Sequence, residues 1–163
     1  MIKKITLPVP VYLKKFLEGE YNAQDGVIKI EKWSQIGQLI SLVSRPYPLP
    51  IKPKTVTGST ITLQYYCREK SNEIAPDKHQ AMVRQLEETF RTAMIFEVRK
   101  IHELVGGDYS PHIRHFLDRY DIRRDVDIDW ETVRKIYRDY LNRNDRKNRK
   151  SQENLCVKSP AVA

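Results

Sequence analysis

Cysteine is nearly absent: Cys67 and Cys156 are the only two in 163 residues and lie far apart. They cannot build a disulfide framework, and no C-x-x-C pair exists to seed a metal knuckle, so reduced thiols are expected. N-x-S/T acceptor sites are missing too, which removes one mark of a secreted, glycosylated surface. No run approaches the ~18–20 apolar residues that a membrane helix needs. Prolines also interrupt residues 1–10 before a signal-peptide core can form. These absences predict a cytoplasmic protein without a membrane partner.

Signatures of catalysis are equally scarce. There is no GxxxxGK[ST] phosphate loop, no GxGxxG fingerprint and no GxSxG elbow. His102 and Glu103 begin like HExxH, but Gly106 stands where the second zinc-binding imidazole belongs. His112, His115 and Asp108 offer three donors from about one turn, and such ligands rarely converge on one ion. Asp125, Asp127 and Asp129 place oxygens at alternate positions, as a calcium loop does. Trp130, however, replaces the turn glycine and Ile136 the closing carboxylate, so helix capping is the expected role. Over six residues, Pro111, His112, Ile113, Arg114, His115 and Phe116 resemble the histidine–arginine box of the tyrosine recombinases, which act on DNA phosphodiesters. That box reads His-x-x-Arg, whereas the residue three after His112 is His115. No catalytic residue is therefore carried over, and a non-enzyme without metal, cofactor or small-molecule substrate is expected.

What the chain has in quantity is positive charge. Lys and Arg number 29 against 21 Asp and Glu, a formal charge of +8, while 40% of residues are hydrophobic. That is too apolar for a disordered protein, so folding is expected. The surplus is uneven. Residues 1–75 carry eleven basic and six acidic residues, and residues 76–141 carry twelve and thirteen. Residues 142–163 carry six and two. Two basic regions thus flank a balanced middle, and such a field attracts polyanions, of which phosphate backbones are the commonest inside a cell.

The hydrophobic pattern predicts an α+β protein. Ile5, Leu7 and Val9 alternate with Thr6 and Pro8 as in an edge strand. Leu13, Phe16 and Leu17 recur at helical spacing, Asn22 and Gly26 mark a break, and Val27, Ile28 and Ile30 suit a brief strand. Trp33, Ile36, Leu39, Ile40 and Val43 read as a second helix, weakened by Gly37. Four prolines between residues 46 and 53 impose a stiff, extended connector, with binding to an aromatic groove as its less expected role. Residues 55–67 read as a hairpin turning at Gly58 and Ser59. The resulting 1–75 unit has three or four strands and two short helices, with Tyr65, Tyr66, Arg68 and Lys70 as candidate stacking or gripping residues.

A helical region follows over residues 76–142. Val83, Leu86, Phe90, Met94, Val98, Ile101 and Val105 predict one long helix over 77–105, about 43 Å at ~1.5 Å per residue. Ile95 and Phe96 lie off its stripe, so the N-terminal unit or a second copy of the chain is the expected cover, and a homodimer is a candidate state. Ser110 and Pro111 open a short helix carrying Ile113, Phe116 and Leu117. The last helix, with Trp130, Val133, Ile136, Tyr137, Tyr140 and Leu141 on its apolar stripe, is expected to end near Asn142, leaving residues 143–163 as a basic flexible tail. The link between these two helices exceeds the 3–4 residue turn of a helix-turn-helix, so a looser arrangement is expected.

Arg134, Lys135 and Arg138 on the last helix, Arg143, Arg146, Lys147, Arg149 and Lys150 beyond it, and Arg123 and Arg124 before it are the candidate nucleic-acid contacts. The pattern predicts a non-catalytic DNA-binding protein that grips phosphates, a regulator or accessory factor of the kind carried by mobile elements and phages. The rival reading is an interaction or assembly protein that self-associates through the long helix and uses its charge only for solubility.

Overall fold

Alternation of Lys3, Ile5 and Leu7 with Lys4, Thr6 and Pro8 builds β1 (Ile2–Pro8), whose first set is buried and whose second is exposed. The computed structural model describes residues 1–47 and 57–157. β1 is an edge strand, where the missing amide of Pro8 leaves no central ladder bond unmade. Its partner β4 (Thr60–Tyr66) is central: β1 runs antiparallel along one edge and β2 (Val27–Ile30) parallel along the other. Both Ile5 and Ile28 lie beside Leu63. β4 therefore pairs with strands distant in sequence rather than folding as the second arm of a hairpin; Val56 of the expected first arm lies outside the described residues.

Between the first two strands, α1 (Val11–Glu20) buries Leu13, Phe16 and Leu17. The chain leaves it through left-handed backbone at Asn22, Asp25 and Gly26, with φ of 46°, 53° and 72°. α2 (Gln35–Val43) begins after Trp33, not at it. Ser34 caps the helix by accepting a hydrogen bond from the Gly37 N–H at 3.1 Å, and Trp33 stands 81% exposed outside. Gly37 is expected from its low helix propensity to be a weak point, yet a Cβ there would lie 2.1 Å from the Glu31 carbonyl oxygen. The helix start folds back so closely that only glycine fits.

A second, two-stranded ribbon joins β3 (Ser44–Pro46) to β5 (Asn72–Ile74), antiparallel. The proline pattern predicts only an extended connector here, because short strands leave little periodicity. Most of that connector, including Pro48, Pro50 and Pro53, lies outside the described residues. Lys3 ties the ribbon to β1. Its buried ammonium donates to the carbonyls of Lys70 (2.8 Å) and Asn72 (2.6 Å) and to the Glu73 carboxylate (2.6 Å), using all three protons. One of the N-terminal cations is thus internal and neutralised.

A single 3₁₀ turn at Pro76–Lys78 leads into α3 (His79–Val105), whose Met82, Leu86, Phe90, Met94 and Val98 are buried. Gly106, at φ 69°, ends it and donates its N–H to the His102 carbonyl at 2.8 Å. Val105, expected on the buried stripe, is 71% exposed beside this stop. α4 (Ser110–Arg119) is opened by Asp108 rather than by Ser110: the Asp108 carboxylate accepts from the Ser110 N–H (3.0 Å) and hydroxyl (2.9 Å). α5 (Trp130–Val157) continues well past Asn142. Residues 143–157, expected as a flexible tail for want of hydrophobic periodicity, are helical. They contain no Gly or Pro and are rich in residues that add readily to a helix already nucleated.

The fold is thus α+β, a mixture of helices and small sheets. One buried cluster runs from β1, β2 and β4 through α1 into α3, α4 and α5. Phe16 is its junction, with its ring 5.3 Å from Phe90, 6.2 Å from Phe116 and 5.0 Å from Tyr120. Such aromatic pairs add about 0.5–1.5 kcal/mol each beyond the area they bury. No helix among the described residues is long and apolar enough to cross a membrane.

Candidate nucleic-acid interface

Residues 120–129, between α4 and α5, are fixed by their own aspartates. Asp121 and Asp125 take left-handed backbone, with φ of 53° and 60°, which short polar side chains tolerate best after glycine. The Asp127 carboxylate accepts from the Arg123 N–H at 2.8 Å and from Lys15 of α1 at 2.6 Å. These bonds, the one to Lys15 first, hold its carboxyl below the usual value. Lys15 also donates to the Asp121 carbonyl at 2.7 Å. Asp125 accepts from the Trp130 N–H at 3.0 Å, and Asp129 caps α5 by accepting from the Thr132 N–H and hydroxyl, both at 2.8 Å. The expected capping role falls to Asp129 and Asp125 at the start of α5, whereas Asp127 ties the loop to Arg123 and Lys15. No metal-binding cluster of His, Cys, Asp and Glu occurs among the described residues.

The loop and the two helices bring three guanidinium groups to one indole. The guanidinium carbons of Arg114 on α4, Arg124 on the loop and Arg134 on α5 lie 5.4, 5.7 and 6.0 Å from the centre of the half-buried Trp130 ring. A cation within ~6 Å of an aromatic face is attracted by the ring quadrupole. Arg134 also binds Glu131 at 2.9 Å, and its buried Nε has no partner. The two bonds from Ser110 lower the Asp108 carboxyl, and Arg134 and Arg114 add to this. Trp130, Arg114, Arg123 and Arg124 line an open cleft of about 780 Å³ whose other polar walls are Asp118, Asp121 and Asp125.

Of the ten residues proposed from sequence, Arg123 and Arg124 line this cleft and Arg134 stands beside it at the Trp130 ring. The other seven run along α5, all exposed. At 100° per residue, Lys135, Arg138, Arg146 and Arg149 share one side of the helix, while Arg143 and Lys147 lie around its flank. Arg143 donates to the Asp139 carbonyl at 3.3 Å. Among the described residues no ion pair within 4.0 Å holds any of the seven, although Asp139 and Asp145 stand among them. The balanced middle behaves differently, since Arg91, Arg99 and Arg119 pair with Glu88, Glu103 and Glu97. Part of the positive charge on α3 and α4 is thus neutralised by direct ion pairs, whereas among the described residues none from Lys135 to Lys150 along α5 is.

Arg114 and Trp130 are absent from the sequence-derived site. The four-residue spacing of Trp130 and Arg134 does place them on one helix face. Nothing in the sequence brings Arg114 and Arg124 to the same ring, because their meeting depends on how the loop folds. In the N-terminal unit, Tyr65 is core: burial first, then Glu73 and Cys67, push its phenol up to about 12. Tyr66 is 65% exposed and Arg68 is at the surface.

Fold and site together define an α+β protein whose last helix and the loop before it present a basic, partly aromatic surface. No family model, curated protein or solved structure matches the chain.

Proposed function

We propose that this protein binds DNA without catalysis, as a regulatory or accessory factor in the cytoplasm, of the kind mobile elements and phages carry. The observation that supports this most is the row of cations on α5, from Lys135 near its start to Lys150, without ion pairs among the described residues. Over that distance a helix rises about 22 Å at ~1.5 Å per residue, and its width of ~10–12 Å with side chains suits the major groove of B-DNA. Lysines and arginines spaced along such a rod neutralise phosphates and release counterions, which supplies affinity with little sequence readout. Residues 143–157 of the expected basic tail then act as a continuation of this helix, and residues 158–163 lie outside the described residues. Replacing Lys135, Arg138, Arg146 and Arg149 with Gln in the full chain and titrating duplex DNA at several salt concentrations tests the proposal. Weaker binding with a shallower salt dependence supports it, and unchanged binding refutes it.

A second reading keeps one specific observation in its favour. Phe96 is 54% exposed on α3, and Leu104 and Val105 are exposed near its end, so α3 retains apolar surface that a second copy of the chain would cover. Arg99 and Lys100 lie 5.5 and 5.3 Å from the Phe96 ring and shield part of it. Sedimentation across a wide concentration range decides this: a persistent monomer removes the assembly role.

A further inference from the structure

The cleft at Trp130 is built differently from the rest of the basic surface. Along α5 the exposed cations stand in a row, as suits a duplex backbone. At the cleft, arginines alternate with aspartates around an indole: Arg114, Arg123 and Arg124 against Asp118, Asp121 and Asp125. A bare phosphate would meet as many negative as positive side chains there. A nucleotide presents a phosphate, a flat aromatic ring and polar base edges, and so satisfies all three kinds of group. Guanidinium donors take the phosphate, the indole takes the ring, and a carboxylate accepts from exocyclic amino groups or ring N–H donors of the base. Asp125 is already engaged with the Trp130 N–H and Asp121 lies 3.9 Å from Lys15, whereas Asp118 is exposed and has no ion pair among the described residues.

The guanidinium carbons stand 5.4 to 6.0 Å from the indole centre, less than the ~7 Å that a ring stacked at ~3.5 Å from each would need. A base therefore takes the indole face in place of a guanidinium, and the exposed Arg114 and Arg124 side chains turn to its phosphate. The cleft, at about 780 Å³, falls within the ~300–1,000 Å³ range of small-ligand sites. The walls come from α4, the loop and α5, and Lys15 braces the loop, so the backbone that carries these groups is held before any ligand arrives. A base paired inside a duplex cannot offer its face to a side chain; an unpaired one can.

We propose that this cleft receives one unstacked nucleotide of a single-stranded segment, with its base against Trp130 and its phosphate held by Arg114 and Arg124. The proposal rests on the nucleic-acid reading above and adds the substrate class: single-stranded DNA or RNA, or the unpaired end beside a duplex held on α5.

Trp130 reports on its own site. The only other tryptophan, Trp33, is removed as W33F, and the full-length chain is titrated separately with oligo(dT), oligo(U), a blunt duplex and inorganic phosphate while emission is followed. Oligo(dT) or oligo(U) is expected to change the emission saturably, and the difference between them shows which single strand is preferred. R114Q/R124Q, at exposed positions, is expected to weaken single-strand binding at least 10-fold and duplex binding less than 3-fold. Duplex binding with Trp130 silent toward both single strands overturns this inference while leaving DNA binding by α5 intact. So does an equal loss of single-strand and duplex affinity in R114Q/R124Q, or an equal response to inorganic phosphate alone. Failure of every nucleic acid to bind at moderate salt overturns both.

Discussion

Lys15 on α1 and Asp127 in the loop before α5 meet at 2.6 Å, across 112 positions of sequence. Through this pair the N-terminal unit holds the segment that carries Arg123 and Arg124. The Asp127 side chain is only 8% exposed, so the pair is worth more than a surface ion pair, and its loss leaves a largely buried group unpaired. K15M is expected to lower unfolding stability by about 1–3 kcal/mol in chemical denaturation. It is also expected to weaken the Trp130 cleft by loosening the loop.

The same pair makes stability depend on acid. Hydrogen bonds from Lys15 and Arg123 hold the folded Asp127 carboxyl below its ordinary value of 3.8. Its contribution is therefore complete above that ordinary value and is lost as pH falls through the lower folded one. The stability gap between the native chain and D127N should be full at neutral pH and shrink below about pH 4. Parallel acid titrations at fixed denaturant check this, and a gap that stays constant to low pH would contradict it.

Gly37 supplies a test of the fold alone. Because a Cβ would lie 2.1 Å from the Glu31 oxygen and 2.9 Å from that of Lys32, G37A must push the backbone before α2 aside. A loss of about 1–3 kcal/mol is expected. If the glycine were merely a helix-weakening residue, alanine would stabilise the protein instead, and thermal unfolding separates the two signs.

Much of the fold is legible in the sequence where apolar residues repeat over many turns or along an alternating strand. The Leu86, Phe90, Met94 and Val98 stripe of α3 and the Ile5 and Leu7 alternation of β1 fix their elements, because burial on one face imposes the period. Pairing partners are less legible. β4 pairs with two remote strands, and the hairpin expected from its neighbouring Gly58 and Ser59 rests on local turn chemistry that the sheet overrides. The end of α5 is misplaced for the opposite reason: helix can propagate through residues 143–157 on intrinsic propensity, with no apolar stripe to announce it. Individual cations of the candidate interface are plain in the sequence, but the convergence of Arg114, Arg124 and Arg134 on Trp130 is tertiary. Lys3, counted with the N-terminal positive charge, proves to be buried against Glu73.

The far part of α5 is polar around its circumference, and such a helix lacks the tertiary contacts that protect backbone amides. Hydrogen exchange in the free protein should be fast over residues 143–153 and slow near Val133 and Tyr137, which are fully buried. Addition of duplex DNA should slow exchange over 143–153. Equal protection with and without DNA would place the contact elsewhere.

The most direct measurement is the slope of log affinity for duplex DNA against log salt, in the native chain and in the variant with Lys135, Arg138, Arg146 and Arg149 replaced by Gln. Each lost phosphate contact should reduce the slope by about 0.9, so a reduction of about 3–4 is predicted, with the fold unchanged by circular dichroism. An unaltered slope, or the absence of any salt-sensitive binding in the native chain, would contradict the assignment of α5 as the surface that grips DNA.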